Sequence, residues 1–253
     1  MRFALPLLFC FGALAQESES PHDILLKVRS LGLSDKTMDQ AEPLLEKAVQ
    51  RWAESDPRNP EYAESLTLLG MIRQVRAGTD FQALRANVEP LYRKALSVYD
   101  RSIIPPAPVD LALTLELEAA TLNAIGEVQD ATPLSQRAAV IRAGRVREIQ
   151  EGAPKIAAAY KPGEGIAAPA VISKVDPEYT NQARFLKLQG TVALKLVVDE
   201  LGRPQDISLV RGLGFGLDEN AVRAVRSWRF KPGSSEGLPV PTIANVELNF
   251  RLQ

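Results

Sequence analysis

Few residues in this chain can carry bond-making chemistry. His22 is the only histidine and Cys10 is the only cysteine. A transition-metal site needs several nitrogen or sulfur ligands, and a serine or cysteine nucleophile needs a base beside it. Neither arrangement can be assembled away from His22, which we interpret as a solvated or helix-capping residue. The sequence therefore predicts no catalytic residue, no metal site and no cofactor.

Two carboxylate pairs and one glycine-rich loop remain to be considered. Asp199/Glu200 and Asp218/Glu219 have the right chemistry for acid–base work, but they lie in a predicted turn and at a predicted helix start. The loop Gly212–Gly216 lacks the Gly-Lys-Ser/Thr and dinucleotide fingerprints, so we interpret it as a turn into the next helix. An enzyme with carboxylate chemistry stays as an alternative, which paired acids in one deep cleft would favour.

Composition narrows the class of protein. A chain of 253 residues is long enough for one or two domains. The formal net charge is −1, which argues against a nucleic-acid partner and against a polybasic membrane binder. Without a catalytic constellation, no small-molecule substrate is predicted.

The N-terminus has the pattern of a secretory signal peptide. Met1-Arg2 is followed by an apolar run from Phe3 to Leu14, and small residues surround Ala15. The run has about 12 residues, whereas a membrane-spanning helix needs about 20. We predict a signal peptide over 1–15, cleavage before Gln16 and a periplasmic location. An uncleaved signal anchor is the alternative.

Residues 22–150 contain a repeated pattern. Three similar segments, Ala41–Ala48, Val88–Ala95 and Ala131–Ala138, carry prolines that are 47 and then 43 residues apart. Between them, similar segments begin at Pro60 and Pro108, which are 48 residues apart. A period in the forties built from two amphipathic helices is typical of a helical repeat array. We place each proline in the first turn of its helix, where a missing amide hydrogen costs little.

The repeat predicts six helices, at 22–31, 37–54, 60–77, 84–101, 109–126 and 130–150. The pattern resembles the tetratricopeptide repeat, although the Leu-Gly pair of that repeat is clear only at Leu69-Gly70. The small residues Ala48, Ala95 and Ala138 would let neighbouring helices approach. Such a stack offers a concave face for a peptide or protein. A generic helical bundle is the alternative. Residues 151–169, rich in proline and glycine, are predicted to be an extended or flexible linker.

The stretch from Gly190 to Leu252 alternates between strand and helix patterns. Apolar residues at every second position predict strands over Val192–Val198 and Val246–Leu252, and Ile207–Val210 is a shorter strand. Between these strands, apolar residues at helical spacing predict an amphipathic helix. Its apolar stripe consists of Leu217, Ala221, Val225 and Trp228.

Residues 167–253 resemble the C-terminal domain of TonB, the periplasmic module of bacterial energy transducers. The resemblance depends on the order and spacing of several landmarks together. These are Pro177-Glu178-Tyr179, Ala183, Gly190-Thr191-Val192, Val198-Asp199-Glu200-Leu201-Gly202, Leu217-Asp218, Ala221, Trp228-Arg229-Phe230-Lys231-Pro232, Gly237, Pro239-Val240 and Phe250. Thr180 departs from the family, which usually has proline after the tyrosine, and Arg211–Gly214 replaces a common Ser-Ser-Gly turn.

The resemblance implies an α+β fold class for the whole chain. A tetratricopeptide-like all-α array over 22–150 would precede a small βαββαβ domain over 170–253, with an antiparallel sheet and two helices on one face. In the family, the last strand and the segment near the Tyr-Pro motif receive an extended motif from outer-membrane receptors. Carried over here, this assigns partner binding to Tyr179 and to the strand Ile243–Asn249, and the partner-binding residues of that strand are Ile243, Asn245, Glu247 and Asn249.

The leading prediction is a non-catalytic periplasmic protein–protein interaction module. It would bind an extended segment of an outer-membrane TonB-dependent receptor or another envelope protein by strand addition, and the helical repeats would hold a second partner. The alternative is a true TonB-type energy transducer for transmembrane transport. That protein would keep its N-terminal anchor and associate with an inner-membrane motor complex.

Overall fold

The computed structural model describes residues 19–152 and 156–252. Its first part is helical. The helices are α1 (Pro21–Leu31), α2 (Met38–Ser55), α3 (Pro60–Ala77), α4 (Phe81–Ala83), α5 (Glu89–Arg101), α6 (Pro108–Ala124) and α7 (Val128–Ile149), with a π-helical turn over Leu84–Val88. The predicted signal peptide over 1–15 and Cys10 lie outside the described residues.

All six predicted helices are confirmed, with ends within three residues of those expected. The fourth begins earlier because Asp80 caps it. The Oδ1 atom of Asp80 accepts hydrogen bonds from the N–H groups of Gln82 at 2.9 Å and Ala83 at 3.1 Å. In the part of the chain that the structure describes, no helix combines the length and the apolar character that crossing a membrane requires.

The repeated prolines do not all lie where the sequence placed them. Pro43 and Pro133 are inside α2 and α7 rather than in the first turn. Both helices extend ahead of their prolines, where Ala41 and Ala131 are buried in the helical core. That burial compensates for the backbone hydrogen bond that each proline removes. Pro90 does lie in the first turn of α5, directly after the π-helical turn.

Small residues bring neighbouring helices into close contact. Ala48, Ala95 and Ala138 are all buried, as predicted. Gly70, the glycine of the Leu-Gly pair, faces the ring of Tyr92. A Cβ atom at position 70 would lie 2.4 Å from Cε1 of that ring, so a larger residue would displace a fully buried tyrosine.

The second part of the chain contains both strands and helices. Its elements are β1 (Ile166–Ala167), β2 (Ala170–Ser173), α8 (Asn181–Phe185), β3 (Gly190–Val198), β4 (Pro204–Arg211), α9 (Leu217–Ser227), β5 (Arg229–Lys231), β6 (Gly233–Ser235), β7 (Leu238–Val240) and β8 (Thr242–Phe250). The order β2-α8-β3-β4-α9-β8 agrees with the predicted βαββαβ order. The last strand starts earlier than expected and ends before Leu252.

The strands form separate antiparallel sheets instead of the single sheet that was predicted. Among the described residues these sheets are β4-β3-β8, β2-β5 and β1-β6-β7. Prolines account for the division. Pro232, Pro239 and Pro241 interrupt the chain between α9 and β8, and a proline cannot donate to a ladder of hydrogen bonds. The short strands β5, β6 and β7 therefore pair outside the main sheet.

One core joins the main sheet to its helices. Ala183 of α8 and the apolar stripe of α9 pack against the same face of β3, so both helices cover one side of the β4-β3-β8 sheet, as predicted. Burying these side chains drives the packing of helix on sheet. The buried residues that carry it include Val192, Leu194, Leu196, Leu217, Ala221, Val225, Trp228, Leu248 and Phe250.

The helical part and the C-terminal part are packed against each other. Phe185 of α8 is buried within the core of the helical part, where Phe215 also packs. In the opposite direction, Val146 of α7 is buried in the core of the C-terminal part, with Ile149 beside it. Because apolar side chains cross the boundary both ways, hydrophobic burial holds the two parts together.

Candidate functional site

The outer edge of β8 has the geometry of a strand-binding site. β8 pairs with β3 from Thr242 to Phe250 and lies at the outside of the main sheet. The N–H of Ile243 points outward, because it donates to the carbonyl of Tyr160 at 2.9 Å. Backbone groups alternate along a strand, so Asn245, Glu247 and Asn249 also direct their N–H and C=O groups outward. In residues 19–152 and 156–252, Tyr160 provides the backbone partner of this outer edge.

The side chains along this edge are polar and exposed. Asn245, Glu247 and Asn249 all point away from the core, onto the open face of the sheet. Glu247 forms an ion pair with Arg211 of β4, with an Nη2–Oε1 distance of 3.6 Å. Thr191 of β3 donates to Oδ1 of Asn249 at 2.7 Å. Of the predicted residues of β8, Ile243 already has its outward N–H bonded to Tyr160. The outward backbone groups of Asn245, Glu247 and Asn249 lie beyond that contact, and the side chains of Glu247 and Asn249 contact the sheet.

Tyr179 lies at the far end of the same strand. Its ring packs edge-on against Phe250, with the centroids 5.3 Å apart, and its hydroxyl donates to the carbonyl of Leu188 at 3.1 Å. Arg184 lies over the ring, 5.7 Å from its centroid. Ile243 and Phe250 are seven positions apart, which corresponds to about 24 Å at the usual rise of a strand. Tyr179 and Ile243 thus mark opposite ends of one edge.

A cavity of about 670 Å³ opens beside Tyr179. Three cationic side chains, those of Arg184, Lys187 and Arg251, line it. Lys187 also reaches Asp35 in the helical part, with an Nζ–Oδ2 distance of 3.1 Å. The end of β8 that carries Tyr179 is therefore positively charged.

Thr180 turns into the domain and away from this edge. Its Oγ1 accepts the N–H of Ala183 at 3.2 Å, which caps α8, and donates to the carbonyl of Phe215 at 2.8 Å. A proline at this position could do neither. Thr180, where the chain departs from the family pattern, thus connects α8 to the glycine-rich loop before α9.

Residues 175–252 match the family described as Gram-negative bacterial TonB protein C-terminal. They form a TonB C-terminal domain. The match begins in the loop before α8 and includes Tyr179 and β8, and the helical part lies outside it.

Two curated proteins are similar to about a third of this chain. Protein TonB of Vibrio cholerae is 31% identical over 87 residues, covering 34% of this chain and 36% of that protein. Protein TonB of Klebsiella pneumoniae is 32% identical over 88 residues, covering 33% of this chain and 36% of that protein. The matching region thus spans about a third of the length of each relative.

Two solved structures are also similar. The solution structure of the Pseudomonas aeruginosa TonB C-terminal domain has 22% identity and a TM-score of 0.30, covering 37% of this chain and 94% of that one. The crystal structure of BtubC (BKLC) from P. vanneervenii has 19% identity and a TM-score of 0.39, covering 55% of this chain and 51% of that one.

The boundary between the helical part and the TonB domain contains a charge network that sequence reasoning missed. Arg142 of α7 donates to both carboxylate oxygens of Glu116 in α6, at 2.9 and 2.8 Å. Its Nη1 also donates to Oε1 of Glu219 in α9 at 3.1 Å, and the side chains of Arg142 and Glu219 are about 95% buried. Burial opposes the charge of Arg142, but the two carboxylates raise its pKa above the ordinary value. No local sequence signal reveals a pairing between such distant residues.

The loop before α9 completes this network. Oε2 of Glu116 also accepts the N–H of Phe215 at 2.9 Å. Asp218 accepts the N–H groups of Leu213 at 2.8 Å and Gly214 at 3.2 Å. Burial raises the pKa of Asp218 to about 6, although these hydrogen bonds oppose the rise. The glycine-rich loop is thus the predicted turn into α9, and Glu116 fixes it to the helical part.

The buried acids of this boundary are used for structure. Asp218 and Glu219 are in the first turn of α9, as predicted, and bind backbone amides or Arg142. A cavity of about 200 Å³ adjoins Glu219 and is also lined by Asp110, Arg142 and Arg223 among others. Because Arg142 pairs with Glu219 and backbone amides bind Asp218, the arrangement resembles a domain contact more than an acid–base pair.

The remaining chemical candidates also have structural roles. Asp199 accepts the N–H groups of Leu201 and Arg203 at 3.0 and 2.8 Å, which makes it the turn residue predicted. His22 is half-exposed, and its Nδ1 lies 2.7 Å from Oε2 of Glu61. Within the described ranges, no group of three or more His, Cys, Asp or Glu side chains is arranged to hold a metal ion.

Proposed function

We propose that this chain is a non-catalytic, periplasmic protein–protein interaction module. Its TonB domain binds an extended segment of an outer-membrane receptor, or of another envelope protein, by adding that segment as a strand to β8. The observation that carries this proposal is the row of outward backbone groups at Asn245, Glu247 and Asn249. Soluble proteins usually protect the unpaired edge strands of their sheets. An edge strand as long as β8 whose outward backbone groups are accessible therefore indicates a binding partner.

Backbone pairing would supply most of the affinity. A net contribution of about 0.5–1.5 kcal/mol is typical of each hydrogen bond, and the three outward residues offer six backbone groups. The polar side chains of Asn245, Glu247 and Asn249 would adjust the register of the guest strand. At the other end, Tyr179 and the cations around it would contact the end of the guest.

The helical part would serve as the support of this edge and as a second binding surface. Arg142, the buried side chain of Phe185 and the half-buried side chain of Phe215 fix the TonB domain to it. Because Phe185 and Phe215 already cover some of the helical surface, a second partner would bind to the rest of this tetratricopeptide-like array. The protein would then bring an envelope partner and a receptor segment together at a fixed distance.

A true energy transducer is the second candidate, and the resemblance to Protein TonB of two bacteria favours it. That function requires an N-terminal anchor in the inner membrane and a motor complex. Whether the mature protein keeps or loses its N-terminal apolar segment distinguishes this candidate from the periplasmic module.

A peptide array tests the proposed function. The array displays every ten-residue window of the periplasm-facing segments of the outer-membrane receptors and other envelope proteins of the source bacterium. We expect the full mature chain to bind a small set of windows that share an extended, alternating motif. The chain with Asn245 replaced by a photo-crosslinking amino acid should form covalent products with those same peptides. An array without any bound window would refute the proposal.

A further inference from the structure

The linker before the TonB domain contacts the proposed binding edge. The N–H of Tyr160 donates to the carbonyl of Pro241 at 2.8 Å, and its carbonyl accepts the N–H of Ile243 at 2.9 Å. The two hydrogen bonds form a parallel bridge opposite Thr242. Tyr160 therefore occupies the outward backbone groups of Pro241 and Ile243, at the start of β8.

The linker cannot continue along β8 beyond this point. Gly163 and Gly165 have φ angles of 112° and 89°, which bend the chain away. The backbones of Gly163 and Ile166 then bond to each other in both directions at 3.0 Å. β1 begins at Ile166 and pairs with β6 in another sheet. Tyr160 thus ends the ladder and leaves the positions from Asn245 onward open.

We propose that Tyr160 is an end-stop that fixes where a guest strand begins on β8. This inference rests on the proposed function, and it adds the length and register of the partner. The guest pairs from Asn245 to Asn249, a footprint of about five residues at the usual rise of a strand. A longer extended segment gains no further backbone pairing at that end, because Tyr160 already binds Pro241 and Ile243.

The same linker shapes the side-chain preference at this end. A cavity of about 550 Å³ lies between the linker and β8, beside Asn245. Apolar side chains line it together with Lys161 and Lys195, so the guest residue nearest Tyr160 carries a side chain without positive charge. The other residues that line it are Pro162, Ala168, Pro169, Ile243, Ala244 and Asn245.

The test uses the peptide array with each bound window trimmed from ten residues to five. Tyr160→Pro removes the N–H that bonds to Pro241, and Tyr160→Ala keeps both backbone groups as the matched control. For the native chain and Tyr160→Ala, we expect affinity to stay constant as the window is trimmed at the Tyr160 end. Tyr160→Pro keeps only the bond from Ile243 to the carbonyl of residue 160, so a guest that displaces the linker gains two backbone hydrogen bonds and costs one. Windows of seven residues or more should then bind this variant about fivefold more tightly than five-residue windows.

Two further measurements keep this inference testable if Tyr160→Pro folds poorly. In the native chain alone, affinity that rises steadily as residues are added at the Tyr160 end, from five to ten, would overturn the end-stop. Replacing the guest residue at the Tyr160 end by lysine should weaken binding at least tenfold because Lys161 and Lys195 line the cavity there, and no change would overturn this preference. If windows bind but Tyr160→Pro shows the length dependence of the native chain, the end-stop fails while the proposed function stands. If no window binds, both fail.

Discussion

Arg142 of α7 and Glu219 of α9 form a buried ion pair across the boundary between the helical part and the TonB domain, with 3.1 Å between Nη1 and Oε1. The two residues are 77 positions apart in the sequence. Arg142 also binds both oxygens of Glu116, which in turn holds the backbone of Phe215. The position of the TonB domain on its helical support is therefore set by one buried guanidinium group and the groups around it.

Replacing Arg142 by alanine is expected to destabilise the protein strongly. It leaves the carboxylates of Glu116 and Glu219 buried without their cation, and breaking a buried pair typically costs about 3–5 kcal/mol. Arg137→Ala on the same helix is the control, because Arg137 is exposed and pairs with Asp100 at 3.2 Å. An exposed pair contributes about 0–1 kcal/mol. Urea unfolding followed by circular dichroism measures both, and equal losses of unfolding free energy would contradict a structural role for Arg142.

Asn245→Pro is expected to abolish binding of the array peptides without unfolding the TonB domain. Proline at this position removes an N–H that points outward, so the ladder to β3 stays intact. Val246→Pro is the contrasting variant, since the N–H of Val246 faces β3, opposite Leu194. Val246→Pro should clearly lower the midpoint temperature of thermal unfolding. Full binding by a folded Asn245→Pro protein would contradict strand addition at β8.

The pH dependence of stability should report on Asp218. Its folded pKa is about 6, above the value near 3.9 of an unfolded aspartate, because burial disfavours its charge. Between these two values the unfolded chain releases the proton first, so Asp218 lowers the stability as pH rises from about 4 to about 6. In Asp218→Asn this loss is absent. Relative to the native chain, the variant should gain about 2 kcal/mol of unfolding free energy between pH 4 and pH 7.

Asp199→Asn should change the pH dependence of stability in the opposite direction. Burial opposes the ionisation of Asp199, but hydrogen bonds from the backbone and side chain of Arg203 lower its pKa below the ordinary value. Its contribution to stability is present above the unfolded pKa and is lost as pH falls through the folded one. Relative to the native chain, Asp199→Asn should therefore become less stable as pH rises from below the folded pKa of Asp199 to above the unfolded value near 3.9. Parallel pH profiles for the two variants would show that these assignments are wrong.

The N-terminus discriminates between the two candidate functions. If residues 1–15 are a cleaved signal peptide, intact-mass measurement of the protein from its native envelope fraction should give a chain that starts at Gln16. That chain would be extracted by osmotic shock with other periplasmic proteins. A mass that includes residues 1–15, together with retention in the inner-membrane fraction, would favour the transducer.

The local elements of this protein follow from its sequence. Alternating apolar residues indicated β3 and β8, and helical spacing of Leu217, Ala221 and Val225 indicated α9, because one buried face imposes its period on the chain. The repeated segments indicated six helices for the same reason. Errors occurred where local signals compete with packing. Pro43 was expected in the first turn of its helix, but it lies inside α2, which continues ahead of it through the buried Ala41.

The sequence by itself determined the helical first part, the α+β second part, and the choice of β8 as the candidate edge. Only the tertiary structure decided that Tyr160 occupies one end of that edge, and that Tyr179 lies at the other. It also decided that Arg142 joins Glu116 to Glu219. Hydrophobic periodicity specifies which face of an element is buried, but it carries no information about which distant polar groups meet once those faces have packed.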